Sequence, residues 1–173
     1  MAHLYVHVTP YFGPMCNAHF NSIGPGKGLA IYMKDKVSQP TVDIKEEKMQ
    51  TIKIESSVLQ VILVYRSEPG STLKLIEQLE SIIDMEMATL ICGYFSICCK
   101  MSSNNRVTKF IETKGFRQLM QAPTHIKGRI IDHFYFRSGG QIQEDAHIYR
   151  YSPYYTDHDA ICATIQLKGL VPP

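Results

Sequence analysis

Between Val58 and Cys92 the chain reads strand, helix, strand, and that run restricts it to folds built on an α/β sheet. Val58 to Tyr65 is a β-branched run suited to a central strand. Ser71 then precedes Leu73, Ile76, Leu79, Ile82 and Ile83 at helical spacing, which predicts one amphipathic helix ending near Glu86. Thr89 to Cys92 reads as the next strand, with Gly93 at its C-terminal end. Open α/β sheets place their sites beyond the carboxyl ends of strands, so chemistry is expected at Tyr94 to Ser96.

The flanking segments extend this pattern. Leu4 to Val8 alternates weakly and reads as a strand, whereas Thr9 to Gly28, rich in Pro, Gly and Asn, reads as a loop. Gly28 to Met33 is a short buried strand, Lys34 to Lys48 a polar loop, and Thr51 to Glu55 a strand able to form a hairpin with Val58 to Tyr65. Asn104 to Lys114 places Val107, Phe110 and Ile111 on one helical face, with Gly115 as C-cap. Arg129 to Phe136, Gln143 to Tyr149 and Ala160 to Ile165 read as strands, and an aromatic loop holds Tyr149, Tyr151, Tyr154 and Tyr155.

The 173 residues, 45% of them apolar, suffice for one α/β domain. A formal charge of +2 falls short of the basic excess of a processive nucleic-acid groove or a polybasic membrane surface, and leaves DNA neither supported nor excluded. Five cysteines without C-x-x-C spacing read as reduced thiols. No apolar run approaches the roughly 20 residues of a membrane span, and Met1 to Val8 lacks the pattern of a signal peptide. These features predict an intracellular chain, in nucleus or cytoplasm, with no membrane partner.

Two acid-plus-imidazole steps are the candidate chemistry. Strand alternation sends Asp132 and His133 to opposite faces, which makes Asp132 the candidate and puts His133 with Ile131 on the reverse; an edge-strand polar pair is the alternative. Thr156-Asp157-His158-Asp159 gathers three ionisable groups before a hydrophobic strand. A carboxylate hydrogen-bonded to an imidazole fixes its tautomer and raises its basicity, useful for metal binding, phosphate stabilisation or water activation. Solvated turn acids explain the same spacing. Gly24-Pro25-Gly26-Lys27-Gly28 lacks the phosphate-loop register and reads as a glycine turn. Arg106, Lys109, Lys114, Arg117, Lys127 and Arg129 form a loose basic stretch open to nucleic-acid contact or to ordinary solvation.

Taken together, Gly26 to Tyr32, Leu63 to Arg66, Cys92 to Ser96, Gly115 to Leu119, Pro123 to His133 and Tyr155 to Ile161 resemble, in order and spacing over roughly residues 20 to 166, the endonuclease/exonuclease/phosphatase superfamily. The likeness is to endonuclease domains of mobile elements, beside reverse transcriptases or at the end of helitron-type helicases. It implies a partial four-layer α/β sandwich, two packed β-sheets with outer helices, over residues 20–168, between an uncertain segment at 1–19 and a tail at 169–173. It also implies phosphodiester hydrolysis with Mg²⁺ or Mn²⁺ and DNA as a possible partner. By the same resemblance His158 stabilises the scissile phosphate, Asp132 holds the geometry around it, Tyr65 reaches toward the phosphate with Arg66 beside it as a phosphate-binding residue, and Asp157 contacts the metal.

The chain departs from that pattern in two places. Where the family carries Gly-Asp-Phe-Asn this sequence has Gly93-Tyr94-Phe95-Ser96, and a tyrosine, with an ordinary pKa near 10, is a poor general base at neutral pH. The family's early Asn and metal-binding Glu are also missing, since no Glu precedes Glu46. The expectation is a degenerate endonuclease-like domain, truncated at its N-terminus and impaired in catalysis. A noncatalytic nucleic-acid or protein binding module and a small-molecule phosphatase are the alternatives.

Overall fold

The computed structural model describes residues 4–7, 16–24, 27–34, 41–46, 48–67, 71–98, 105–139, 144–152 and 156–167. Its centre is a six-stranded sheet in the order β4 (Val42–Glu46), β5 (Met49–Glu55), β6 (Leu59–Arg66), β7 (Ala88–Tyr94), β9 (Asp132–Arg137), β8 (Arg117–Gln118). The expected hairpin is β5–β6, and the expected strand–helix–strand unit is present, because β6 and β7 pair in parallel across helix α1 (Thr72–Ile82).

Alternation along these strands sorts the core into two. Ile62, Val64, Ile91 and Tyr135 face α1 and α2 (Arg106–Thr113), where Leu75, Leu79, Val107 and Ile111 complete one buried cluster. Leu63, Leu90, Cys92, Phe134 and Phe136 face the other way and pack on Ile161, Ala163 and Ile165 of β11 (Ala160–Leu167). That strand is central in a second sheet, β1 (Leu4–His7), β11, β10 (Glu144–Tyr151), and a two-stranded sheet of β2 (Cys16–Gly24) and β3 (Lys27–Lys34) brings Leu29 to the same cluster. The layers described are helices, a mixed sheet, and an opposing β layer. This is the mixed α/β sandwich expected.

Several segments differ from expectation. Residues 16–24 are a strand rather than loop, paired with β3 from Cys16↔Lys34 onward; Asn17, His19, Asn21 and Ser22 disguise it in the sequence. Residues 42–46 are a strand within the expected polar loop, since pairing to β5 and the half-burial of Val42 and Ile44 outweigh the flanking charges. Helix α1 stops at Ile82 instead of near Glu86. Buried Gln60 receives the Asp84 N–H at 3.2 Å and donates to the Asp84 carbonyl at 3.3 Å, drawing the chain out of the helix as a paired strand would.

Caps are local and match their residues: Ser71 Oγ accepts the Lys74 N–H, and Asn105 Oδ1 accepts those of Val107 and Thr108. Gly115, at φ 81°, ends α2 as expected. Pro25-Gly26, Pro69-Gly70, Cys99, Tyr154, Tyr155 and the 169–173 tail lie outside the described residues. Cys92, Cys98 and Cys162 are free thiols, and burial pushes the Cys92 thiol far up, which keeps it unreactive. No helix among the described residues is long and apolar enough to cross a membrane.

Candidate functional site

The site is built by strand register. Tyr65 of β6 lies opposite Tyr94 of β7, and Tyr94 lies opposite Asp132 of β9. Neighbours across a sheet point to the same face, so these side chains form a row at the carboxyl ends of β6 and β7. The Tyr65 and Tyr94 rings are 5.7 Å apart between centroids. Asp132, 4% exposed, shares the face of Phe134 and Phe136, while His133 points to the helix side and packs by Phe95 and Tyr135. Alternation therefore sends the pair to opposite faces, and β9 lies between β7 and β8, with β8 paired at Tyr135 and Phe136.

Two loops bring His158 over the row. In one, Thr124 Oγ1 accepts the N–H groups of Ile131 and Asp132, and a turn closed by Gly128 N–H on the His125 carbonyl runs through Gly128 at φ 72°. Arg129 to Ile131, expected as strand, follow this turn outside any strand, and β9 begins at Asp132. The second loop zips onto the first: Ile126 N–H donates to the Asp157 carbonyl and Asp159 N–H to that of Thr124, flanking a bridge between His125 and His158. Arg150 adds an ion pair to Asp159 and a hydrogen bond to the Pro123 carbonyl. His158 is thereby placed edge-on to Tyr94, at 5.5 Å between centroids and 73° between planes.

Its Nδ1 meets Asp132 Oδ2 at 2.9 Å. The carboxylate can only accept, so Nδ1 carries the proton and Nε2 is left as the ring's acceptor. That hydrogen bond, with burial opposing it, raises the His158 pKa above the ordinary imidazole value. The folded state thus binds this proton more tightly than the unfolded chain does. The stabilisation is complete below the unfolded value of about 6.5 and is lost as pH rises through the higher folded value. Melting curves should show Asp132→Asn losing most relative to wild type in mildly acidic buffer and less at alkaline pH; a gap independent of pH across that window would contradict the pairing.

His125, which no sequence argument singled out, sits beside His158 with ring centroids 4.8 Å apart. Its Nε2 lies 3.1 Å from Asp157 Oδ2, and its Nδ1 accepts the Lys127 N–H at 3.0 Å. Asp157 is exposed. Its carboxyl is held below the ordinary range: a burial effect pushing it up is outweighed by its own backbone N–H and by the His125 and His158 imidazoles.

By number and spacing, His125, Asp157 and His158 could hold a metal ion, with ligand atoms within 4.8 Å of one another. Their protonation is less favourable. A neutral imidazole that accepts at Nδ1 carries its proton on Nε2, so the His125 atom facing Asp157 has no lone pair for a cation. One carboxylate and the His158 Nε2 remain. Mg²⁺ prefers oxygen ligands in octahedral array, so this set does not fit it as a dedicated cage, and imidazole donors suit softer cations better.

Arg66 occupies a different place from Tyr65. Alternation turns it to the helix side, where the residue is 7% exposed and its guanidinium donates to the Phe95 carbonyl at 2.9 Å and to Thr72 Oγ1 at 3.4 Å. It braces the strand end beneath the site. Of the loose basic stretch, Lys114 pairs with Glu80, while Lys127 and Arg129 are exposed on the turn next to His125.

No protein-family model matches the sequence, and no curated protein matches it. Solved structures do. The endonuclease domain of TRAS1, a telomere-specific non-LTR retrotransposon, superposes with TM-score 0.58 at 13% identity over 83% of this chain and 75% of that one. The chain has the endonuclease/exonuclease/phosphatase fold. CdtB, the biologically active subunit of cytolethal distending toxin, gives 0.58 at 13% identity over 82% of this chain and 64% of its own. An endonuclease/exonuclease/phosphatase family protein from Leptotrichia buccalis C-1013-b gives 0.55 at 11% identity over 90% and 72%. At such identities the shared property is this fold.

Proposed function

We propose that the chain engages nucleic-acid phosphodiesters at the Asp132–His158 pair, as an endonuclease-like domain of mobile-element origin whose metal-dependent hydrolysis is impaired. The observation carrying this reading is the orientation of His158: Asp132 fixes Nδ1–H, which leaves Nε2 as the acceptor of a ring set edge-on to Tyr94, the cross-strand neighbour of Tyr65. Protonated, that nitrogen donates to a phosphoryl oxygen; neutral, it accepts a proton from a nucleophile. Tyr65 supplies a second donor. Lys127 and Arg129, exposed on the turn tied to the Asp157 loop, suit the strand's other phosphates.

Impairment follows from Tyr94 and from the donor set. A divalent cation at Asp157 would neutralise charge on phosphoryl oxygens, but the ligands described hold Mg²⁺ or Mn²⁺ weakly. Tyr94 stands where the resemblance calls for a carboxylate. Duplex DNA should bind at low salt and be released steeply as salt rises. Plasmid nicking in Mg²⁺ or Mn²⁺ should be slow, and Tyr94→Asp should accelerate it about tenfold or more by restoring a base. Absence of DNA binding at low salt would refute the reading, and efficient wild-type nicking would refute the impairment. The exposed Lys127 and Arg129 also favour a second reading, a binding module that retains phosphate contact without cleavage.

A further inference from the structure

We propose that Tyr94 is a nucleophile, whose phenolic oxygen attacks a nucleic-acid phosphodiester and leaves the chain joined to one strand through a phosphotyrosine. The inference rests on the phosphodiester reading of the Asp132–His158 pair and adds a reaction to it. Tyr94 is not packed away as a core aromatic would be. It is half-buried, in the middle of the row between Tyr65 and Asp132, with its ring against the edge of His158. A tyrosine, a histidine and an aspartate thus stand in sequence, and the aspartate already sets the tautomer that makes His158 Nε2 a proton acceptor. The members of an activated nucleophile are thus gathered, an attacking group, a base whose ring it touches, and a carboxylate that orients the base.

Two further features suit the role. The Tyr94 hydroxyl donates to Ser96 Oγ at 3.3 Å, and Ser96 sits at φ 54°, a left-handed conformation rare outside glycine. The phenol is therefore held by a second residue rather than left to rotate. Burial, and then the proximity of Tyr94, push the Tyr65 pKa up, so Tyr65 keeps its proton and serves as a donor to a phosphoryl oxygen. The mechanism also does without the cation that the His125, Asp157 and His158 set accommodates poorly, because the nucleophile belongs to the protein and no water has to be activated.

In the step, a bond forms between the Tyr94 oxygen and phosphorus while the bond from phosphorus to one bridging ribose oxygen breaks. The phenolic hydroxyl turns from Ser96 Oγ to give its proton to His158 Nε2, which passes it to the departing alkoxide, and this leaves as a free hydroxyl. Atoms and charge balance with no co-reactant, and the reverse step rejoins the strand.

The test uses the full chain, EDTA, and duplex oligonucleotides labelled at either end. One pair of substrates carries sulfur at one bridging position and a second pair at the other, so that the released thiolate does not reattack. The expected result is a labelled adduct that survives denaturing electrophoresis, carries label from one end only, and maps by mass spectrometry to the peptide containing Tyr94. Tyr94→Phe keeps the ring contacts and should lose the adduct while still binding DNA by fluorescence anisotropy. An adduct that persists in Tyr94→Phe, or DNA that is bound or cut with no adduct, would overturn this inference and leave the phosphodiester reading standing. Wild-type chain that fails to bind the duplex at low salt would overturn both.

Discussion

Gly93→Ala should destabilise the chain by about 4 kcal/mol or more, placing it among the most damaging single changes available. Gly93 has φ 135°, a backbone conformation that side chains with a Cβ rarely adopt, and a Cβ there would meet the Val64 carbonyl oxygen at 2.0 Å. That oxygen belongs to the paired residue of β6, in the middle of the sheet, so neither partner can retreat without breaking the β6–β7 ladder. Typical domains have only about 5–15 kcal/mol in total, so much of the population should be unfolded. Urea titration followed by circular dichroism checks this, and a loss under about 1 kcal/mol would mean that the strand ends are not as described. Gly93 also aims the site. Its conformation precedes Tyr94 and sets the direction of that side chain.

His158→Gln should lower affinity for duplex DNA about 10- to 100-fold at low salt, the range of one charge-assisted hydrogen bond of roughly 1.5–3 kcal/mol. Glutamine is preferable to alanine here. Its amide can still donate to the Asp132 carboxylate, 4% exposed, which alanine would leave buried without its partner. Stability should therefore change less than binding, and anisotropy titrations with parallel melting curves separate the two. Unchanged affinity would place the phosphate elsewhere, with Lys127 and Arg129 as the first groups to test.

Much of the central sheet was legible in the sequence, because its signals are local. The β-branched run at Val58 to Tyr65, the Ser71-capped apolar stripe and the Thr89 to Cys92 strand each depend on neighbouring residues, and all three are found. Residues 16–24 were not legible as a strand, since their pairing with β3 defines them, and the alternation of Val42 and Ile44 with Asp43 and Lys45 was too short to stand out from the flanking polar residues. The end of α1 was hidden for a similar reason: Gln60, far away in sequence, takes the backbone groups of Asp84.

The site divides along the same line. Strand alternation was enough to put Asp132 and His133 on opposite faces, and the Asp157-His158 step marked the loop that faces Asp132. Alternation applied equally to Tyr65 and Arg66 would have turned Arg66 to the helix side, where the structure puts it. His125 and Thr124 gave no periodic signal. Their importance comes from a turn whose backbone is fastened to the Asp157 loop, and such contacts between loops leave no pattern in either segment.

The central claim is that the Asp132-oriented imidazole of His158 takes the phosphodiester. Histidine ring ¹⁵N spectra of the uniformly labelled chain, recorded while a short DNA duplex is titrated in, test it most directly, with His158→Gln giving the assignment. The predicted result is a His158 ring in the Nδ1–H form whose Nε2 resonance shifts saturably with DNA, while that of His133, buried against the Ile97 carbonyl, stays in place. A His158 Nε2 resonance that does not move as the duplex binds would contradict it.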